Sequence, residues 1–440
     1  MKVLKFGGTS VGAPERMHQV ADLVNNGEQN IVVLSAISGT TNSLVEISQF
    51  LYQKNTADAI SKIDNLRDDY KSFVIQLYST NIAKEKGAHL VEEHFKFIKS
   101  FTKDLFTIHE EKAILAQGEL LSTALFQFYL EEQNINSVLL PALDFMRITE
   151  DNEPDMDYIR ENLNKILGTT KAQIYITQGF ICRNTFGEVD NLKRGGSDYT
   201  ASLIGAAIGA DEIQIWTDID GMHNNDPRIV ENTYPIRELS FDEAAELAYF
   251  GAKILHPSSI RPAKDENIPV RLKNTMSPQA QGTLISQNSA GESIKAVAAK
   301  DEITAIKIKS GRMLMAYGFL RAVFEIFERY KTPIDMITTS EVGVSLTIDD
   351  TSNLDQIIKE LKEFGAVEVD ENQTIVCVVG DNLAAGQGYA SKVFDTFREI
   401  PIRMISFGGS KNNVSILIDS SYKRAALIAL NKGLFNVETV

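Results

Sequence analysis

The sequence predicts an α/β fold with a mainly parallel sheet sandwiched by helices, followed by two smaller βαββαβ-like units. Three observations predict it. Short continuous apolar or β-branched runs at 3–6, 31–34, 138–140, 174–177 and 213–216 suit strands buried on both faces. Longer stretches of helical composition lie between them, at 43–53, 89–108 and 110–132, and that alternation marks a helix-covered parallel sheet. Past a polar segment at 286–292, the best linker, the element lengths change.

The tail reads as a strand at 303–308, a helix at 320–329, a strand at 344–348, a helix at 354–364 and a short strand at 367–369. A similar order follows at 375–379, 390–397, 402–405, 414–418 and 422–430. Within the first part, Ser240-Phe-Asp-Glu243 ahead of an alanine-rich run reads as a capping box that opens a helix.

Composition narrows the function classes. The chain has 440 residues and a formal net charge of -15, a sign that repels nucleic acid and anionic membranes. A polyanionic ligand therefore needs a local basic site. Cys182 and Cys377 stand far apart with no metal-ligand spacing, so neither a disulfide framework nor a zinc site is expected. No apolar stretch reaches the ~18 residues of a membrane helix, and the start carries no signal-peptide pattern. A cytoplasmic enzyme is the expectation.

Four clusters carry chemistry, each following a strand or opening a helix, where doubly wound sheets bind ligands. Lys5-Phe6-Gly7-Gly8-Thr9-Ser10 offers two glycines that let the backbone approach a phosphate, two hydroxyls, and an ammonium for the transferred group. It is no Walker A loop, since no GxxxxGK[ST] occurs, and protein-kinase signatures are missing. Lys193-Arg194-Gly195-Gly196-Ser197-Asp198 precedes a small apolar run that reads as a helix. Its amides and positive dipole end face an anion, and Arg194 is able to grip a carboxylate bidentately. Thr217-Asp218-Ile219-Asp220-Gly221, then Asp226-Pro227-Arg228, follow the run at 213–216. Phe250-Gly251-Ala252-Lys253-Ile254-Leu255-His256-Pro257 is the fourth; Lys253 is the phosphate candidate, and His256 reads as structural. Two weaker features are the hydroxyl-rich segment 35–42 and Gln117-Gly118-Glu119, where a mid-helix glycine marks close approach or a kink.

KFGGTS, the Gly118-Glu119 pair, RGGSDYTA, TDIDG with DPR, and FGAKILHP resemble, in order and approximate spacing, the motifs of the aspartate kinases within the amino acid kinase family. GFLRAVFEIFERY and ITTSEVGVSLTID resemble a first ACT regulatory domain of those enzymes, and ISFGGSKNNVSILID a second. The resemblance implies an amino acid kinase domain at 1–290 and ferredoxin-like ACT domains at 300–370 and 371–440, with the strand 293–299 contributing to the later one.

The resemblance also implies roles. Lys5, Gly7, Gly8, Thr9 and Ser10 hold the ATP phosphates, and Lys5 stabilises charge on the moving group. Thr41, Glu119, Arg194 and Ser197 bind L-aspartate, with Glu119 on its ammonium and Arg194 on its carboxylate. Asp198 orients the reacting groups or a lysine. Thr217, Asp218, Arg228, Lys253 and Ile254 complete the nucleotide side, and His223 stands where many relatives carry tyrosine near the adenine. Lys193 replaces a frequent glycine.

The expected reaction is ATP-dependent phosphorylation of the aspartate side chain to 4-phospho-L-aspartate, opening the aspartate-family pathway. Mg²⁺ is held mainly by phosphates and water, with no protein metal ligands. Met313, Ala316, Gly318, Phe319, Leu320 and Asp335 match the effector-contacting stretch of lysine-sensitive relatives, so lysine is the leading effector and threonine the alternative. A homodimer through the ACT domains is expected, with no fused homoserine dehydrogenase. The alternatives are another amino acid kinase family enzyme, or a catalytically inactive amino-acid-sensing protein.

Overall fold

The computed structural model describes residues 1–103, 105–192, 195–251, 255–288, 294–311, 313 and 317–435. The chain forms two compact units. One comprises Met1–Met222, Arg237–Phe241 and Ile254–Asn288; the other comprises His223–Ile236, Asp242–Lys253 and Ser289–Val440.

The elements run Lys2–Phe6 (β1), Pro14–Val24 (α1), Asn30–Leu34 (β2), Thr40–Tyr52 (α2), Thr56–Leu77 (α3), Asn81–Ser100 (α4), Ile108–Leu115 (α5) and Gln117–Glu132 (α6). Ser137–Leu140 (β3), Met156–Thr169 (α7), Ile174–Gln178 (β4), Ile181–Arg183 (β5), Val189–Asn191 (β6), Gly196–Ile208 (α8) and Ile213–Thr217 (β7) follow. Next come Glu238–Ser240 (β8), Phe241–Tyr249 (α9), Arg261–Asp265 (α10), Val270–Asn274 (β9) and Thr283–Ser286 (β10).

Eight strands make one sheet in the order β3-β4-β2-β1-β7-β9-β10-β8. It is parallel from β3 to β9, and only the β9–β10 pair is antiparallel. Every residue of β2 and β4 is buried, which is why 31–34 and 174–176 read as apolar runs. From β1 the chain moves to β2 on one side, and β7 returns on the other. That reversal sets the carboxyl ends of β2, β1 and β7 around a crevice. The main core joins Phe6, Val32 and Leu34 of the sheet to Met17, Leu44, Ile63, Tyr70, Phe95 and Leu125 of the helices.

The helical stretch expected at 89–108 ends earlier, at Ser100. Thr107 then opens a new helix through a capping box with Glu110, so the polar pair that reads as helix interior is a helix start. The stretch 110–132 is two helices that break at Ala116, which leaves Gly118 in the first turn of α6. A Cβ on Gly118 would stand 2.8 Å from Ala36 Cβ, so the glycine serves close approach.

In the second unit, Ile294–Lys309 (β11), Phe319–Arg329 (α11), Ile337–Ser340 (β12), Gly343–Ile348 (β13), Leu354–Leu361 (α12) and Ala366–Gly380 (β14) precede Tyr389–Asp395 (α13), Met404–Phe407 (β15), Asn413–Asp419 (β16) and Lys423–Phe435 (α14). The six strands form one sheet, β12-β13-β11-β14-β16-β15. The expected separate strands at 367–369 and 375–379 are one continuous β14. Between them Asp370 and Gln373 stay paired with β11, across a register shift. The run expected at 402–405 lies two residues later, as β15.

The two βαββαβ-like halves are therefore interleaved rather than successive. β11 pairs with β13 only through Thr304–Lys309, and its earlier residues pair with β14 at 375–380. One core forms around Ile306, Val323, Phe327, Leu346 and Leu361, and another around Val376, Val378, Val393, Ile416 and Leu427. Cys182 and Cys377 are buried free thiols. Among the described residues no helix is long and apolar enough to cross a membrane.

Candidate active site

A cavity of roughly 420 Å³ opens at the carboxyl edge of the eight-stranded sheet. Gly8 and Thr9 after β1, Ser35 to Gly39 after β2, Thr41 of α2, Glu119 of α6, Phe180 after β4, and Gly196 and Ser197 of α8 line it. Three strand ends and three helix N-termini meet here, so the wall carries backbone amides and the hydroxyls of Thr9, Ser35, Ser38, Thr41 and Ser197.

Lys5 leaves the end of β1 and pairs with Asp198 in the first turn of α8, Nζ to Oδ1 2.7 Å. Their side chains are only 12% and 16% exposed, so each charge relies on the other. A Cβ on Gly7 would stand 3.5 Å from Lys5 Nζ, which places the ammonium over the glycine turn.

The α8 N-terminus is brought in by two glycines. Gly195, its N-cap, sits at φ 71°, and Gly179 after β4 touches Ser197 so closely that a Cβ would lie 2.3 Å from Ser197 Cβ. Ser35 Oγ donates to Ser197 Oγ at 2.9 Å, tying the ends of β2 and α8.

Glu119 is 4% exposed rather than a solvent-facing helix acid. Burial is the largest influence and raises its pKa; N–H groups of Ala36 and Glu119 and the charge of Lys5 pull it back, leaving it at about 7. Its Oε2 is buried and has no hydrogen-bond partner. A buried acceptor aimed into a cavity without a donor is the mark of a ligand ammonium site. Behind it, His94 donates to Gln117 Oε1 at 2.6 Å and Tyr70 hydroxyl meets Thr40 Oγ1 at 2.9 Å, so α3 and α4 brace the cavity from below.

Ser10 is a correction. It is 1% exposed, its hydroxyl bonds Thr275 Oγ1 at 2.8 Å, and its N–H donates to Gly7 O. The side chain after a buried strand end faces the core, so Ser10 fixes the glycine turn while Thr9 faces outward. Thr217 and Asp218 follow β7, with Thr217 Oγ1 donating to Asp218 Oδ1 at 3.0 Å. His223 and Arg228 belong to the second unit. His223 Nδ1 bonds Thr233 Oγ1, and Arg228 is held by Asp226 through Nε at 2.9 Å and Nη2 at 2.7 Å. His256 caps a short 3₁₀ turn by accepting from Ser258 N–H, a structural use. Lys193, Arg194, Lys253, Ile254 and Ala316 lie outside the described residues.

Of the expected effector residues, Met313 and Phe319 pack against the Ile306–Leu361 core, and Gly318 caps α11 at φ 84°. Leu320 is partly exposed. Asp335 takes its partners from elsewhere in the unit: Tyr249 and Lys300. The hydroxyl-rich segment 35–42 supplies Ser38 and Gly39 to the cavity wall, as its place after β2 suggested, whereas sequence reasoning missed Phe180. The signal for Phe180 was position alone, directly after β4, since its side chain carries no polar group.

The amino acid kinase family model matches residues 1–274, and an ACT domain model matches 376–434. Lysine-sensitive aspartokinase 3 of Escherichia coli strain K12 is 34% identical over 98% of this chain and 99% of its own. Aspartokinase 3, chloroplastic, of Arabidopsis thaliana is 34% identical over 99% of this chain and 82% of its own. Among solved structures, Escherichia coli aspartokinase III in complex with aspartate and ADP superposes with a TM-score of 0.85 at 33% identity, over 99% of this chain and 100% of that one. The same protein in complex with lysine and aspartate gives 0.81, over 99% of each chain. The chain belongs to the amino acid kinase family and, within it, to the aspartokinases.

Proposed function

We propose that this chain transfers the γ-phosphoryl group of ATP to the side-chain carboxylate of L-aspartate, giving 4-phospho-L-aspartate, and that lysine restrains it through the ACT sheet. The observation that carries this is the cavity itself. A glycine turn with an overlying lysine faces a helix N-terminus, and a buried carboxylate with one oxygen unpartnered waits at the other side. Residues 1–290 supply catalysis in this reading; 300–370 and 371–440, with 293–299, supply regulation.

The nucleophile needs no base. An aspartate side chain is ionised well above its pKa of ~4, and the obstacle is bringing one anion to another. The chain answers with charge and position. Gly7, Gly8 and Thr9 let amides and a hydroxyl meet the phosphates. Lys5, steered by Asp198, neutralises the moving phosphoryl group. Thr41, Ser197 and the α8 N-terminus hold the substrate carboxylates together with Arg194, and ionised Glu119 takes the ammonium. Thr217, Asp218, His223, Arg228, Lys253 and Ile254 make the nucleotide side.

Among the described residues no group of three or more His, Cys, Asp or Glu is placed to hold a metal ion. Mg²⁺ in this reading comes with ATP, ligated by phosphate oxygens and water, and supplies charge neutralisation. Met313, Ala316, Gly318, Phe319, Leu320 and Asp335 form the effector side, and the protein works as a cytoplasmic homodimer.

An ADP-release assay with aspartate, glutamate, acetylglutamate and UMP, run with hydroxylamine to trap an acyl phosphate as its hydroxamate, tests the reaction. ADP release and hydroxamate with aspartate are expected. Turnover confined to another acceptor would sink the assignment, and inhibition by threonine alone would replace lysine as effector.

A further inference from the structure

Asp335 is an acid with an internal guest. Its side chain is 1% exposed, and Oδ1 accepts from Lys300 Nζ at 2.7 Å and from Tyr249 hydroxyl at 2.7 Å. Lys300 Nζ also reaches Asp349 Oδ2 at 2.8 Å, and stands 4.5 Å from the centre of the Tyr249 ring. Burial alone lowers the Lys300 pKa, but the bonds to Asp335 and Asp349 more than offset it and hold the ammonium above its ordinary value. Asp335 Oδ2 is buried with no hydrogen-bond partner. The carboxylate is thus half satisfied in a place water does not reach, which is costly unless something else completes it.

The joint around this acid is tight. Tyr249 ends α9, and two residues on, Gly251 at φ 122° crosses β11 so closely that a Cβ would lie 2.2 Å from Ala299 O. Next to Ala299 is Lys300 itself. Just beyond it the β11 register shifts, and Glu302 adopts φ 61°. The end of α9, the bend of β11 and the approach to β12 therefore meet on one carboxylate. Immediately after Gly251 the chain enters the segment of Lys253.

We propose that Lys300 is a built-in occupant of the effector carboxylate: the side-chain ammonium of free lysine takes the place of the Lys300 ammonium on Asp335, and Tyr249 carries the exchange to α9. This rests on the reading of Asp335 as an effector residue. The chemical fit is direct, because the group on Asp335 is the same side-chain alkylammonium that lysine offers, and no other proteinogenic amino acid carries one at the end of its side chain. An effector with a hydroxyl in its place cannot balance the charge that Lys300 leaves. Two acids within reach of one ammonium, Asp335 and Asp349, leave Lys300 a second partner when it is displaced, so the exchange strands no charge. The affinity for lysine is then the difference between two similar bonds, which keeps it weak enough to respond to the free pool.

The test is calorimetric titration of L-lysine and L-threonine into the full-length wild type, Lys300→Met and Lys300→Gln, with inhibition curves for each and for Tyr249→Phe. Removing the occupant is expected to tighten lysine binding tenfold or more and leave threonine unfavoured. Lys300→Gln keeps an N–H donor for Asp335 and stands in should Lys300→Met not fold. Tyr249→Phe is expected to bind lysine within threefold of wild type but lose at least half of the maximal inhibition. Unchanged or weaker lysine binding by both Lys300 variants overturns the occupant, and wild-type inhibition in Tyr249→Phe overturns the relay. A wild type that binds no lysine beside a Lys300 variant that does would remove feedback from the function and keep the occupant.

Discussion

Lys5 Nζ and Asp198 Oδ1 stand 2.7 Å apart at the mouth of the glycine turn, and neither side chain has much water to fall back on. A phosphate that arrives beside Lys5 must share the ammonium with Asp198, and this makes the two residues one unit. Lys5→Met is expected to lower kcat on the order of 10²–10³-fold with the fold intact. Asp198→Asn should also fall, and the double variant should be little worse than Lys5→Met alone. Steady-state kinetics on the three proteins decides it; independent, multiplying losses would separate the pair.

Glu119 is expected to couple aspartate binding to pH. With its pKa at about 7 it is largely protonated in mildly acidic solution, and only the ionised form attracts an ammonium. The KM for aspartate is expected to rise as pH falls through 7, and Glu119→Gln should raise KM and flatten that dependence. KM measured from pH 6 to 8.5 gives the answer.

The same shift has a cost in stability. The folded-state pKa lies above the unfolded value, so the stabilising contribution is complete below about 4.5 and is lost as pH rises through about 7. At pH 8 the buried charge opposes folding by about 3 kcal/mol at most. Glu119→Gln is therefore expected to raise Tm at pH 8 and to leave it nearly unchanged at pH 5, a difference that a thermal scan at both pH values reads directly.

Ser10 and Thr9 should part company. The Ser10 hydroxyl is committed to Thr275, so Ser10→Ala is expected to cost roughly 1–3 kcal/mol of stability through an unsatisfied Thr275 Oγ1. Its KM for ATP should stay within twofold of wild type. Thr9→Ala should do the reverse. Denaturant unfolding and ATP saturation curves on both variants test the split.

Gly179→Ala drives a methyl group against Ser197, whose Cα would lie 2.8 Å away. The backbone of α8 has to retreat, at about 1–3 kcal/mol. A displacement near 1 Å at a reacting group costs about 10²-fold in rate, so activity is expected to fall further than stability. A kcat within threefold of wild type would show that the α8 start does not need that seat.

The sheet strands of the first unit were legible because burial on both faces writes an unbroken apolar run: 31–34 and 174–177 each fall inside one strand. Gly118 announced a close approach, and Ala36 is what it approaches. What stayed hidden was set by tertiary pairing. Residues 370–373 are polar enough to read as a turn, yet Asp370 and Gln373 pair with β11 across a register shift and keep the segment within β14. Ser10 looked like a phosphate ligand because spacing says nothing about which way a hydroxyl turns, and Thr275, its partner, is 265 residues away. Lys300 and Tyr249 carried no motif at all; only folding places them on Asp335.

β11 and β14 each run through both halves of the six-stranded sheet without a break. Cutting the chain between the halves would sever a ladder instead of a linker, so neither half is a transferable part. A chimaera meant to import another relative's amino-acid preference has to exchange the whole stretch from 294 to 435, and random recombination inside it should yield insoluble chains far more often than recombination at its borders.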